Sequence, residues 1–457
     1  VLLRIVPVAL AGGGSVTQTT QIDEWLNILG HEIPIRRLGV ISPRAGFVDE
    51  QVTGIIYPLD RAIEPASSVS EIYHNVCTAI TNELDYLYTT GVRHFTAICC
   101  GYTSYGLFAL KRAIEKLNAS HANDLMTANA IIQDSSFPDV DVLSTQLDQQ
   151  GYPLTRFYGP AYQSTEYFRI VFALNGAVPF DVSLSKRCPT GCVPIMTALP
   201  YTPRYIASWQ ERARISKTEA RERLEHILPA LAEVTPANYI IPLIASGGCW
   251  EKASVGKWMT PEQFLTVEQG TLTLTNALRI VSEQTGKRIC MPLIRQGADF
   301  VLSKHIPNVY SIKQQSSDYR TGVIILPYDT LPQPSFIDLI TASDLVVHRT
   351  VQTNSFAETI FAQVPQVIMT IPAAGYMEAE LMAQSMSQGL IRYNQNPQEI
   401  ATELYSILTD PKNLLTSLWE TFSSMYSNPE SNFGTVLAKV ARLSSPRSQT
   451  NFDIKLY

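Results

Sequence analysis

Charge is the first thing this sequence is short of. Asp, Glu, Lys and Arg make up 17% of its 457 residues, against roughly 25% in an average globular domain, and the balance is acidic at −6. Phosphate backbones are held by clustered Lys and Arg. No such cluster occurs, which argues against nucleic acid as a partner. No run reaches about 18 consecutive apolar residues, the length that spans a bilayer as a helix. No transmembrane segment is expected, and peripheral contact with a membrane stays open. The 7 cysteines are odd in number and scattered, which does not make a disulfide framework and fits a reducing, cytoplasmic setting. Cys188 and Cys192 (CPTGC) have no second pair to complete a zinc site, so no metal centre is expected. Internal repeats and low-complexity tracts are missing. So is G-x-G-x-x-G, which argues against a dinucleotide-dependent dehydrogenase.

What remains is a well-buried composition, 45% hydrophobic, in a chain long enough for two or three domains at roughly 100–200 residues each. Two openings of similar form stand half a chain apart. An apolar run over 1–10 leads into Gly12-Gly13-Gly14-Ser15 and a helix over 21–29. A second run over 239–245 leads into Ser246-Gly247-Gly248, with a helix over 271–284. Short apolar runs then alternate with helical periods. Strands are expected at 33–40, 94–99, 129–133, 170–174 and 193–196, then at 288–293, 308–312, 322–326, 345–348 and 366–370. Helices are expected at 69–89, 105–117, 335–341, 354–362, 378–387, 397–408, 414–425 and 435–443. Such alternation predicts an α/β fold with parallel sheets built from βαβ units. The charged stretch 209–232, opened by the capping box Ser216-x-x-Glu219 and followed by Pro229 and Pro236, reads as an interdomain connection. That predicts an N-terminal domain over 1–235, a C-terminal domain over 236–430, and a tail over 431–457 packing back on the first domain.

The segment 344–372 (DLVVHRTVQTNSFAETIFAQVPQVIMTIP) carries the most chemistry. It reads strand, polar loop, helix, proline, strand. The helix begins near Asn354 or Ser355, where unpaired N–H groups and the helix dipole make a site for a diphosphate. Glu358 stands one turn in, on the side of Asn354 and Ser355. A carboxylate there can accept the hydroxyls of a ribose, as the acidic residue of a dinucleotide fold does. The plainer alternative is a capped helix whose Glu completes the cap.

This segment resembles the donor-binding signature of the GT-B glycosyltransferases, in particular the peptidoglycan N-acetylglucosaminyltransferase and related UDP-glycosyltransferases. The matching positions are His348, Thr353, Asn354, Ser355, Glu358, Val364 and Pro365. The resemblance implies two Rossmann-like domains facing across a cleft, and a nucleotide-sugar donor, UDP-linked, bound in the C-terminal half. It places Glu358 on the ribose, Leu326 and Tyr328 of GVIILPY at the base, and Ser246, Gly247 and Gly248 at the phosphates. Glu378 and Glu380 stand where the family has Asp-Gln or Gln-Gln at the sugar hydroxyls. Gly13, Gly14 and Ser15, together with Tyr102, Thr103 and Ser104, fall on the acceptor-side loops, the first without the family's usual histidine.

Sugar transfer needs a stabilised leaving diphosphate and a deprotonated acceptor hydroxyl. Arg349 can supply charge to the first task, with Lys257 and Arg295 as alternatives. No DxD-like pair ends a strand near this site, so no divalent ion or other cofactor is expected. For the second task Asp134, at the end of the strand over 129–133, is the candidate base; its bland reading is a turn-forming Asp before Pro138. Asp23, on the first helix, is expected to be solvated, and His31 to favour a helix C-terminus. Retaining relatives often carry a second glutamate about eight positions before the one on this helix. Thr350 stands there, which implies inversion. Two other readings stay open: a sugar-nucleotide epimerase or hydrolase on the same fold, and a catalytically degenerate sugar-nucleotide-binding scaffold. The acceptor is unidentified: a glycan, a lipid-linked glycan, a natural product or a protein. Tyr201 and Tyr205 belong to an aromatic group that suits either an apolar acceptor site or a core.

Overall fold

The computed structural model describes residues 1–7, 13–30, 33–40, 61–63, 69–100, 104–134, 164–181, 188, 191–227, 238–244, 261–294, 309–311, 322–328, 333–348, 354–370, 389–392 and 394–443. The chain divides into two compact units. One comprises Val1–Thr202 with Ser424–Tyr457, the other Pro203–Ser423.

The first unit is built on a seven-stranded, wholly parallel sheet. Its strands are β1 (Leu2–Pro7), β2 (Ile35–Val40), β3 (Arg61–Ile63), β4 (His94–Cys100), β5 (Thr127–Asp134), β6 (Phe168–Gly176) and β7 (Val193–Ala198), in the order β3-β2-β1-β4-β5-β6-β7. Among the described residues, helices α1 (Gly13–Leu29), α2 (Val69–Thr89) and α3 (Ser104–Ser120) lie between them in the chain. A parallel sheet is covered on both faces, so its strands are apolar without alternation; every residue of β6 is buried. On one face, Leu2, Ile98, Ile131, Val171, Ala173 and Ile195 pack against Ile22 and Leu26 of α1.

The second unit repeats this plan. It begins with α4 (Pro203–Arg212) and α5 (Lys217–Ile227). Its sheet contains β8 (Tyr239–Ile240), β9 (Leu243–Ile244), β10 (Arg288–Ile294), β11 (Val309–Ser311), β12 (Gly322–Tyr328), β13 (Val346–His348), β14 (Gln366–Thr370) and β15 (Leu390–Arg392). The order is β11-β12-β10-β9-β13-β14-β15, with β8 also on β10. The expected continuous strand over 239–245 is therefore two pieces, parted at Ile241 and Pro242, because proline has no N–H for the ladder. Pro242 still accepts from Val347 N at 2.9 Å. Helices α6 (Pro261–Thr285), α7 (Gln333–Ala342), α8 (Asn354–Phe361), α9 (Pro397–Thr409) and α10 (Lys412–Ser427) complete the unit, and α10 carries the chain back to the first.

The division at Thr202–Pro203 corrects the boundary expected near 235. The capping box forms, with Glu219 N donating to Ser216 Oγ at 3.1 Å, but the helix it opens is no linker. Asp344 accepts from Lys217 Nζ at 2.9 Å, from an Arg221 nitrogen at 2.8 Å and from Ile240 N at 2.7 Å. These bonds fasten α5 to the start of the second sheet. At the other end, the last helix, α11 (Phe433–Ala441), seats Phe433, Val436, Leu437 and Val440 in the core of the first unit. No helix among the described residues is long and apolar enough to cross a membrane.

Candidate functional site

In an open parallel sheet, ligands bind beyond the carboxyl ends of the strands where the winding reverses. In the second sheet this point lies between β9 and β13, which pair Leu243 with Val347 and Ile244 with His348. The segment after β9 holds Ser246, Gly247 and Gly248; the segment after β13 leads to Asn354, Ser355 and Glu358. The two sequence-predicted donor segments thus follow neighbouring strands. Ser246, Gly247, Gly248, Arg349 and Thr353 themselves lie outside the described residues, as do Lys257, Arg295, Glu378 and Glu380.

Helix α8 is buried along its whole length, which is unusual for a segment with four polar side chains. Each has a reason. Asn354 and Ser355 occupy the first turn, where N–H groups have no intrahelical partner. The Thr359 hydroxyl donates to Ser355 O at 2.7 Å, which leaves its oxygen to accept from His348 Nε2 at 3.2 Å. Burial drives the His348 imidazole down to about 3, with the Gln366 side chain opposing slightly. His348 is therefore a neutral structural group under this turn, holding one ring N–H and taking up no second proton at neutral pH.

Glu358 is only 6% exposed. Its Oε1 accepts from the Tyr205 hydroxyl at 2.7 Å, and Trp209 Nε1 donates to that same hydroxyl at 3.1 Å. Both partners come from α4, and both were missed as site residues. Tyr205 sits in the aromatic group expected to line an acceptor site or a core; the structure puts its hydroxyl on Glu358. The available signal was the i, i+4 spacing of Tyr205 and Trp209, which sets them on one helical face. Nothing local connects that face to Glu358. Burial first, then the Glu358 charge, pushes the Tyr205 phenol well above its usual range, so it remains a neutral donor.

Helix α8 stops at a Schellman motif. Val364 N donates to Thr359 O at 3.3 Å and Gln363 N to Ile360 O at 3.0 Å. Gln363 takes the left-handed position at φ 53°, and Pro365 follows. Leu326 is buried in β12 on the face opposite Val323 and Ile325, which join the core. Tyr328 ends the same strand, and its side chain lies outside the described residues.

In the first sheet the winding reverses between β1 and β4, which pair from Leu2–Thr96 to Ile5–Cys99. Gly13, Gly14 and Ser15 form the first turn of α1 after β1. This corrects the expectation of a glycine loop: the loop is shorter and the helix starts earlier than 21. Ser104 starts α3 after β4, while Tyr102 and Thr103 lie outside the described residues. Asp134 ends β5 in register with Leu174; its side chain is outside the described residues, as is His31. Asp23 is not solvated as expected. It is 7% exposed and pairs with Arg4 Nε at 3.3 Å and Arg37 Nε at 3.9 Å. Burial raises its carboxyl, and the two arginines oppose this. Among the described residues no three His, Cys, Asp or Glu side chains are grouped to hold a metal ion.

No family model and no curated protein sequence matches the chain. Among solved structures, the N-terminal domain of Candida albicans trehalose-6-phosphate phosphatase is similar with a TM-score of 0.53 and 10% identity, covering 96% of each chain. The E. coli trehalose-6-phosphate structure bound with UDP-2-fluoro glucose gives 0.51 at 10% identity, over 97% of this chain and 100% of the other. Arabidopsis thaliana UGT89C1 gives 0.50 at 8% identity, over 96% of this chain and 99% of the other. At such identities the likeness is one of fold. The chain has the GT-B fold, with two Rossmann-like domains.

Proposed function

We propose that the chain is a glycosyltransferase that moves a sugar from a nucleoside-diphosphate sugar, UDP-linked, to an acceptor hydroxyl with inversion. The observation that carries this reading is Glu358: a buried carboxylate on the first turns of the helix that follows β13, at the reversal point of the second sheet. The resemblance to the GT-B donor signature puts a ribose-binding acid at this position, and the E. coli neighbour of the same fold is bound with UDP-2-fluoro glucose.

In this reading the amides of Asn354 and Ser355, with Thr353, Ser246, Gly247 and Gly248, receive the diphosphate. Arg349 adds positive charge as the leaving group departs. Leu326 and Tyr328 frame the base, and Glu378 and Glu380 meet the sugar. Asp134 takes the proton of the acceptor hydroxyl, near Gly13, Gly14, Ser15, Tyr102, Thr103 and Ser104. No metal or other cofactor enters the scheme.

Thermal unfolding in the presence of UDP, GDP, dTDP, CDP and ADP tests it, beside Glu358→Gln. A ligand at about 100 times its dissociation constant adds about 2.7 kcal/mol of stability. Stabilisation by UDP that Glu358→Gln loses supports the reading; a flat response to all five removes it. Incubation with UDP-glucose or UDP-N-acetylglucosamine and no acceptor separates transfer from the alternatives. Rapid UDP release or sugar epimerisation without acceptor points to a hydrolase or epimerase instead.

A further inference from the structure

Helix α4 brings the Tyr205 hydroxyl onto Glu358, with Trp209 behind it, and nothing in the signature around Glu358 supplies either. Tyr205 and Glu358 are 153 residues apart in sequence, and the hydroxyl between them is constrained from both sides. A phenol has one hydrogen to donate and lone pairs to accept with. Trp209 Nε1–H, from a side chain 1% exposed, fills an acceptor position on the Tyr205 oxygen at 3.1 Å. The single phenolic hydrogen is thereby turned toward Glu358 Oε1 at 2.7 Å. The result is a one-way chain, indole to phenol to carboxylate, ending in a charge-assisted bond of the stronger kind.

We infer that Tyr205 is a positioning residue for ribose recognition: held by Trp209, it fixes the Glu358 carboxylate in the orientation that accepts the ribose hydroxyls. This rests on the reading of the α8 turn as a nucleotide-sugar site. A carboxylate can accept about four hydrogen bonds, and Tyr205 supplies one of them. A glutamate has three rotatable bonds to immobilise on binding. Fixing them beforehand moves that entropy loss from ligand binding to folding, and preorganisation of this kind raises affinity. The raised phenol keeps its hydrogen at neutral pH, so the orientation is maintained across the working range.

The test is calorimetric binding of UDP and 2′-deoxy-UDP to the full chain, as wild type, Tyr205→Phe, Glu358→Gln and the double variant. Tyr205→Phe deletes the hydroxyl and keeps the ring. The expected result is that wild type prefers UDP by about tenfold, the loss of one good hydrogen bond. Tyr205→Phe should lower UDP affinity several-fold, change 2′-deoxy-UDP less, and so shrink the preference. It should add nothing in the Glu358→Gln background, because coupled residues are not additive. A merely structural tyrosine would weaken both ligands equally, and an unchanged ratio overturns the inference. If wild type prefers UDP and Glu358→Gln abolishes the preference while Tyr205→Phe retains it, the nucleotide site stands and only the role of Tyr205 falls. If wild type binds neither nucleotide, both fall. Should Tyr205→Phe fail to fold, Trp209→Phe serves in its place. It removes the N–H that orients the phenol and should shrink the ratio in the same direction; a ratio equal to wild type counts against the inference.

Discussion

The indole of Trp25 rests on the backbone of Gly434. A methyl group at 434 would fall 2.8 Å from the Cδ2 of that ring and closer still to two of its other carbons. The ring cannot swing away without losing its bond from Nε1 to Pro200 O at 3.1 Å. Glycine is therefore required here for close approach. Gly434→Ala should destabilise the first unit by about 1–3 kcal/mol, the usual cost of overpacking. Urea unfolding checks this. Gly91→Ala is the comparison: its added carbon meets nothing within 4 Å, and only its φ of 89° counts against it. Equal losses at the two positions would show that packing on Trp25 is not the constraint.

Gln363 is the opposite case, a position where glycine is missing. Its left-handed φ of 53° closes the Schellman motif of α8, and a side chain there costs about 1–2 kcal/mol that glycine avoids. Its side chain is exposed, so little packing is lost. Gln363→Gly should raise stability by about 0.5–1 kcal/mol, measured as a higher melting temperature. A lower melting temperature would mean that the side chain holds something else.

Asp344 ties α5 to the second sheet through Lys217, Arg221 and Ile240 N. Lys217 is about half exposed, and pairs of that kind contribute little. The Arg221 pair and the backbone N–H are the substantial part. Asp344→Asn should cost about 1–3 kcal/mol. Amide exchange should rise in 217–227 before it rises in β10 or β12. Uniform acceleration across the unit would contradict a local fastening.

His348 links stability to pH. Its folded value, lowered by burial to about 3, lies below the roughly 6.5 of an unfolded histidine. Between these values the unfolded chain binds the extra proton. The stability associated with neutral His348 is fully present above about pH 6.5 and is lost as pH falls toward 3, by about 1.4 kcal/mol per unit. His94, bonded to Thr127 Oγ1 and Leu443 O, is also lowered by burial and acts with the same sign. The comparison is therefore wild type against His348→Gln. Urea midpoints from pH 6.5 to 5 should fall more steeply for wild type, and parallel lines would clear His348 of the effect.

Much of the scaffold is legible in local pattern. The helix over 69–89 and the strand over 366–370 have the ends expected of them. The wholly parallel sheets follow from unalternated apolar strands between amphipathic helices. The apolar stripe Phe433, Val436, Leu437 and Val440 stands at i, i+3, i+4 and i+7, visible before its partner is known. What local pattern misses is set by distant pairs. Ser216 and Glu219 made a true cap, yet the ion pairs from Asp344, more than a hundred positions on, decide which unit owns α5. Asp23 looked like a solvated helix residue because Arg4 and Arg37 lie on other elements. Glu358 is a candidate on local grounds, as an acid one turn into a helix after a strand. Its bond from Tyr205 has no local signal, since it depends on a contact between α4 and α8. The break at Pro242 does have a local signal, a proline inside an apolar run.

The seating of α11 in the first core bears on the order in which the protein is made. Leu2, Ile22, Ile98 and Val171 have their final cover only when Phe433, Val436, Leu437 and Val440 arrive, and all of Pro203–Ser423 is synthesised in between. At roughly 5–20 residues per second, translation leaves that apolar face open for on the order of ten to forty seconds. The second unit is contiguous and can close first. The core of the first unit is thus completed last, although its sheet is made first.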